Sequence, residues 1–260
     1  MIPVAIAIVA SFVIASIAYA LRALTPSGAL VAFVVGCIVF GIGGWPAAAV
    51  LLGFFVTSSL LSRVGLRRKR ALVDWGKQGA RNAAQVIANG SVAALCMLFS
   101  PFTPAPLRLG FAAALAAATA DTWSTEIGTL AGRARSILTF RPVSGGSSGG
   151  VSFPGTLAQI AGALAIGAIA RAAGIAPFWP VAIGGVAGSL LDSILGASLQ
   201  ALRWCSRCAR PCETNPHVCG TPTTMFRGLA WVGNDAVNVL ATLCGAAVGI
   251  LVANHWPALQ

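Results

Sequence analysis

The chain has 260 residues, of which 57% are hydrophobic and only 9% are charged. Its mean hydropathy of +0.84 excludes a soluble globular protein and indicates an integral membrane protein. The net charge of +11 comes from basic residues in short segments between apolar runs. Membrane topology explains these residues, so nucleic acid is not an expected partner.

Apolar runs predict an all-α, polytopic transmembrane helix bundle that forms a single membrane domain over residues 1–260. About 20 apolar residues cross the hydrocarbon core of a bilayer. The predicted spans are residues 2–21, 27–44, 46–62, 82–100, 109–130, 154–173, 178–200 and 228–253. The first run lacks the charged start of a signal peptide and is kept as a span. The second and third are joined at Gly43-Gly44-Trp45-Pro46, which predicts a helical hairpin or one kinked helix.

Basic residues predict the orientation of these eight spans, because Lys and Arg collect in short cytoplasmic loops. The segment from residue 63 to 81 carries Arg63, Arg67, Arg68, Lys69, Arg70, Lys77 and Arg81. Alternation of spans adds Arg22, Arg133, Arg135, Arg141, Arg203, Arg207, Arg210 and Arg227 to the same side. Only Arg108 and Arg171 then lie outside. Both termini are therefore predicted on the non-cytoplasmic side.

Carboxylates within apolar spans mark the candidate active site. A charged residue costs about 2.5–3.5 kcal/mol at the centre of a transmembrane helix and is retained chiefly at functional sites. The polar residues of the cytoplasmic halves include Asn82, Gln85, Asn89, Asp121, Glu126, Asp192, Asn234, Asp235 and Asn238. Of these, Asn89, Asn234 and Asn238 are candidate nucleotide- or phosphate-binding residues. Asp121, Glu126 and Asp192 are candidate Mg²⁺ ligands, and Asp235 is a further ligand or a base. Buried polar contacts that tie helices together are the alternative.

A Gly/Ser-rich segment in the predicted cytoplasmic loop 131–153 is a candidate phosphate-binding site. Glycines let backbone N–H groups converge on an anion, and the start of the next helix adds a positive dipole end. The candidate residues are Ser147, Ser148, Gly149, Gly150, Ser152, Arg133, Arg135 and Arg141. Such segments also occur as plain flexible linkers.

A second predicted cytoplasmic loop, residues 201–227, is rich in cysteine. Its candidate metal ligands are Cys205, Cys208, Cys212, His217 and Cys219. The first two are spaced like zinc ligands, and thiols on the cytoplasmic face stay reduced. A structural Zn²⁺ site is one interpretation, and free thiols are the other.

Five motifs, in order along the chain, resemble those of a polytopic membrane protein family long known only as a domain of unknown function. They lie at residues 120–128, 149–152, 188–193, 217–220 and 234–238. The family includes plant phytyl-phosphate kinase and an animal transmembrane protein of unclear role. One departure is Ser147-Ser148, where the family pattern has Thr followed by Asn or Asp.

The resemblance implies a kinase at the cytoplasmic face that converts an isoprenoid monophosphate, such as phytyl phosphate, to the diphosphate. It implies a nucleoside triphosphate as donor, with CTP favoured, and it places Asp121, Glu126, Asp192, Asn234 and Asp235 in the polar cluster. Cytidylyl transfer to a lipid phosphate and transport of a small solute or lipid remain alternatives. The sequence leaves the isoprenoid length and assembly into a homo-oligomer open.

Overall fold

The computed structural model describes residues 3–65, 69 and 79–255. Ile2, where the first predicted span begins, and Arg67, Arg68, Arg70 and Lys77 of the basic loop lie outside the described residues. The chain is mostly helical, at 68%, as predicted. The described helices are α1 (Val4–Ala20), α2 (Pro26–Arg63), α3 (Ala83–Phe99), α4 (Pro104–Ala131), α5 (Phe153–Ala172), α6 (Phe178–Ser198) and α7 (Asn234–His255).

All eight predicted spans fall on these seven helices, because α2 contains two of them. Among the described residues, α2, α5, α6 and α7 are long and apolar enough to cross a membrane, and α1 and α3 are shorter apolar helices. The number of spans and the side of each terminus stay predictions.

Helix α2 is a hairpin rather than one straight rod. Gly44 interrupts it with a φ of 66° and a ψ of −162°, two residues before Pro46. Its last residue lies near its first, since Arg63 Nη2 donates a hydrogen bond at 2.6 Å to the carbonyl of Leu21, and Leu21 comes shortly before Pro26, where α2 begins. The positive φ favours glycine because a side chain would collide with the backbone there. The Gly-Gly-Trp-Pro turn therefore reverses the chain.

Helix α4 forms the centre of the bundle and packs against α3, α5, α6 and α7. Every residue from Leu109 to Ala120 is buried, as expected of a helix surrounded by other helices. Small residues allow the close approach: a Cβ at Gly188 of α6 would lie 2.6 Å from the Cβ of Ala117 and 2.5 Å from the carbonyl oxygen of Ala241. This packing determines where the acidic end of α4 meets α6 and α7.

The two predicted loops contain short strands. The prediction of an all-α fold did not include them. Strands β1 (Arg133–Ser136), β2 (Pro142–Ser144) and β3 (Gly150–Val151) form one antiparallel sheet with β1 in the middle. Strands β4 (Leu202–Cys205), β5 (Arg210–Cys212) and β6 (Thr224–Arg227) form another with β4 in the middle. Both sheets follow the ends of helices that carry candidate site residues, so they shape the same end of the bundle.

Candidate active site

A polar cavity of about 670 Å³ lies where α4, α6 and α7 meet the two sheets. Of the sequence-predicted residues, Asp121, Asp192, Asn234, Asp235, Ser147, Ser148, Gly149, Gly150 and Ser152 line this cavity. They come from four parts of the chain that are far apart in sequence. The volume is within the range of pockets that hold a small-molecule ligand.

Asp121 and Asp192 meet in the cavity wall. Both side chains line the cavity and their carboxyl groups are close enough to interact, and Asp192 Oδ2 is buried without a hydrogen-bond partner. Two adjacent carboxylates repel each other unless they share a proton or have a cation between them. An unpartnered buried carboxylate oxygen also costs free energy. The pair therefore fits a cation-binding function.

The Gly/Ser segment packs closely against the end of α6. Gly149 has a φ of 74°, and a Cβ added there would lie only 2.4 Å from the backbone nitrogen of Ala197. Part of the segment's backbone donates within its own turn, from Ser147 N to Ser144 O at 3.1 Å and from Gly150 N to Ser147 O at 2.9 Å. The backbone of the segment therefore packs in a defined conformation against α6 and forms part of the cavity wall.

The hydroxyls of Ser148 and Ser152 in this segment already have structural partners. Ser152 caps α5 by accepting a hydrogen bond from the N–H of Gly155 at 3.2 Å. Ser148 Oγ donates to Glu213 Oε1 and accepts from Gln200 Nε2 at 2.9 Å. The serine at the position where the family pattern departs therefore links the Gly/Ser segment to the Cys-rich segment.

Glu213 is a cavity residue that the sequence analysis did not identify. It lines the cavity with Thr214 and Asn215, and burial raises the pKa of its carboxyl while Ser148 and the charge of Arg227 lower it less strongly. Arg227 is fixed nearby, because its guanidinium donates to the carbonyls of Ala197 and Gly196. An acid in a polar loop carries none of the cost that marks a membrane-embedded acid, so only its place between Cys212 and His217 could have drawn attention to it.

The arginines of the first sheet do not line the cavity. Arg133, Arg135 and Arg141 are exposed, and Arg135 Nη1 donates to the carbonyl of Phe140 at 2.8 Å. Arg203 of β4 lines the cavity instead. Alternate residues of a strand face opposite sides, and proximity in sequence to the Gly/Ser segment did not indicate which side the arginines take.

Glu126 also lies away from the cavity. Its carboxylate accepts hydrogen bonds from Ser62 Oγ at 2.6 Å and from the Lys69 ammonium at 2.5 Å. It follows Asp121 by five residues, which is about 140° around a helix, so the two carboxylates leave α4 in different directions. The structure places Glu126 in an ion pair with Lys69 and outside the cavity that Asp121 and Asp192 line.

Asn89 lies in a second, apolar cavity of about 80 Å³ between α1, α2 and α3. Its amide donates to the carbonyl of Gln85 at 3.0 Å. The guanidinium of Arg81 also lines this cavity, over the rings of Phe54 and Phe55. Gln85 lines both cavities, so the two are neighbours at one end of the bundle.

Of the remaining predicted residues, some come together in the structure and others lie apart from them. Asn238 is buried in α7, outside the polar cavity, one turn beyond Asn234. In the Cys-rich segment, Cys205, Cys208, His217 and Cys219 come together. Cys212 does not join them; its Sγ lies 3.7 Å from the carbonyl of Thr214.

Comparison with known proteins identifies the family. The profile of the family described as integral membrane protein DUF92 matches residues 9–246. The chain belongs to this family. The membership predicted from the sequence motifs is thereby confirmed.

Relatives in this family come from archaea, cyanobacteria and plants. Protein PGR of Arabidopsis thaliana is 33% identical over 91% of the chain and 91% of its own length. The uncharacterized membrane protein MJ0933 of Methanocaldococcus jannaschii is 30% identical over 89% of the chain and 86% of its own length. Protein VTE6, chloroplastic, of Arabidopsis thaliana is 26% identical over 88% of the chain and 65% of its own length. No solved structure gives a match to the chain.

Proposed function

We propose that the chain is a membrane kinase that transfers the terminal phosphoryl group of a nucleoside triphosphate, with CTP favoured, to an isoprenoid monophosphate. The observation that carries the proposal is the meeting of Asp121 and Asp192 in a polar cavity that adjoins an apolar one. Membership of a family that includes plant phytyl-phosphate kinase supports it. The active site would face the cytoplasm.

The donor set in the polar cavity fits Mg²⁺, which prefers oxygen ligands and binds through one or two carboxylates plus substrate phosphates. Asp121 and Asp192 would hold the ion, with the buried Asp192 Oδ2 as a ligand atom. When bound there, Mg²⁺ would neutralise charge on the nucleotide phosphates. Arg203 and the start of α7 at Asn234, which also line the cavity, would supply further positive potential.

The apolar cavity supports an isoprenoid acceptor. Arg81 Nη1 is buried without a hydrogen-bond partner, although guanidinium groups are strong phosphate donors. The cavity wall is otherwise formed largely by apolar side chains of α1 and α2. At about 80 Å³ it would hold the first carbons of the chain, and the rest would lie in the bilayer. Arg81 would hold the acceptor phosphate beside Gln85, at the border with the polar cavity.

The transfer itself needs position and charge neutralisation more than a base. An oxygen of the acceptor phosphate, already anionic near neutral pH, would attack the terminal phosphorus of the nucleotide. The bond from that phosphorus to the bridging oxygen would break, and the nucleoside diphosphate would leave with that oxygen. Catalysis of this kind depends mainly on positioning and electrostatic stabilisation. The lack of a histidine among the residues that line the polar cavity is consistent with it.

Turnover by the purified protein in detergent tests the proposal. CTP or ATP is supplied with Mg²⁺ and phytyl or geranylgeranyl monophosphate, and isoprenoid diphosphate is measured. We expect product from the native protein and its loss in Asp121→Asn. The matched control is Thr122→Val. The Thr122 hydroxyl donates a hydrogen bond to the carbonyl of Ala118 within its own helix, and Thr122 does not line the cavity.

The products separate the proposal from its alternatives. Release of nucleoside diphosphate supports a kinase, whereas release of pyrophosphate from CTP with a cytidylylated lipid would identify a cytidylyltransferase. An unchanged rate in Asp121→Asn would refute the assigned site. Absence of any product with either nucleotide would refute the kinase assignment and favour transport.

A further inference from the structure

Four metal-ligand side chains come together in the Cys-rich segment, outside the cavity of the proposed kinase. The Sγ atoms of Cys205, Cys208 and Cys219 and a ring nitrogen of His217 all lie within 4.8 Å of one another. The three thiols are free. The cluster combines two ligand pairs that are separated by eight residues of chain.

Three distances within the cluster lie within about 0.5 Å of the edges of a tetrahedral zinc site. Cys205 Sγ lies 3.6 Å from Cys219 Sγ, and His217 Nδ1 lies 3.7 Å from Cys208 Sγ and 3.1 Å from Cys219 Sγ. Zinc binds sulfur at about 2.3 Å and imidazole nitrogen at about 2.0–2.1 Å. In a tetrahedron these bonds separate two sulfurs by about 3.8 Å, and a sulfur from a nitrogen by about 3.6 Å.

The backbone brings the two pairs face to face. Cys205 ends β4 and pairs with Arg210 of β5, so Cys208 lies in the turn of this hairpin. His217 and Cys219 lie in a second turn, closed by hydrogen bonds from Gly220 N to His217 O at 2.8 Å and from His217 N to Thr221 O at 3.0 Å. Two ligands from a hairpin turn and two from a facing turn give a closed set of four. Such closed sets are typical of structural zinc and leave no position for a substrate.

The burial and the polar neighbours of the cluster favour zinc binding over a role of these side chains in packing alone. His217 is almost fully buried, at 2% exposed, and Cys205 is at 0%. Arg207 Nη1 approaches the carbonyl of Cys219 at 3.5 Å, which places positive charge beside a site that would carry three thiolates. Thr221 Oγ1 lies 3.3 Å from Cys219 Sγ, in the position of an outer-shell partner.

We propose that Cys205, Cys208, His217 Nδ1 and Cys219 bind one structural Zn²⁺ that links the two turns of the Cys-rich segment to each other. The stretch between the two ligand pairs includes Glu213, which lines the polar cavity. The metal thus holds one wall of that cavity in place. The binding itself does not depend on the reaction that the cavity performs.

Metal content of the full-length protein tests this proposal. Protein purified in detergent without chelator is analysed by inductively coupled plasma mass spectrometry, and we expect about one zinc per chain. Cys208→Ser should lose this zinc, while Cys212→Ser should keep it because Cys212 is outside the cluster. The matched pair separates ligation from a general effect of removing a thiol.

A second readout uses only the native chain, so it does not depend on the folding of a variant. Exchange of the metal for Co²⁺ should produce the d–d and thiolate charge-transfer absorption of tetrahedral cobalt, and added Zn²⁺ should abolish it. Native protein without stoichiometric zinc and without this spectrum overturns the proposal. A mass that shows Cys205 joined to Cys219 as a disulfide overturns it as well, as does zinc loss that is equal in Cys208→Ser and Cys212→Ser.

Discussion

Replacing Gly149 with alanine should push the Gly/Ser segment away from α6. The new Cβ would lie 2.4 Å from the backbone nitrogen and from the Cβ of Ala197, about 1 Å inside an ordinary contact. The neighbour is helix backbone, so the segment itself must move. A side chain at a φ of 74° costs about 1–2 kcal/mol, and overpacking adds about 1–3 kcal/mol. We therefore expect the free energy of unfolding to fall by about 2–5 kcal/mol in total.

Gly132→Ala is the control for this change. Gly132 has nearly the same φ, 73°, but nothing lies within 4 Å of a Cβ added there. It should show the backbone strain alone, about 1–2 kcal/mol. Thermal unfolding followed by tryptophan fluorescence measures both variants, and Tm should differ by roughly 2–4 °C for each kcal/mol between them. Equal Tm values would show that the segment does not press on α6, and would refute the described packing.

Three further changes test other parts of the structure. Glu126→Gln should lower the free energy of unfolding by about 3 kcal/mol, because Lys69 is only 6% exposed; an unchanged Tm would contradict the buried ion pair. Arg81→Gln should raise KM for the isoprenoid monophosphate by about 10–100-fold without changing KM for the nucleotide, and equal changes in both would count against the acceptor site. The raised pKa of Glu213 makes its contribution to stability fall as pH rises above about 4.5. In Glu213→Gln that fall should disappear from a series of Tm values between about pH 4 and about pH 8, and an unchanged series would show that Glu213 is not the group that titrates.

The helices were predictable because their signals are local. Gly44 and Pro46 lie two residues apart and disfavour a continuous helix through their own backbone preferences, and the structure reverses α2 at that point. The short strands were not predictable, because β3 has two residues and β2 has three. Segments of that length are too short to show a period of two.

Site residues could be predicted from the sequence where a charged side chain in an apolar span carries a free-energy cost. Asp121 and Asp192 were selected by the cost of an acid in an apolar span and by the family resemblance, and both line the same cavity. Glu126 carries the same cost but pairs with Lys69, since cost does not specify the direction in which a side chain leaves its helix. Glu213 was missed because loops accept acids freely.

The reversal of α2 at Gly44 also bears on the lipid leaflet in which the proposed reaction would take place. Each half of α2 is about 27 Å long at 1.5 Å per residue, close to the thickness of the hydrocarbon core. Both halves are therefore long enough to cross it, which would place the ends near Leu21, Arg63 and Arg81 at one membrane surface and the turn at the other. An isoprenoid phosphate would be processed in the leaflet at the Arg81 end, and its diphosphate would remain there until another protein used it or moved it across.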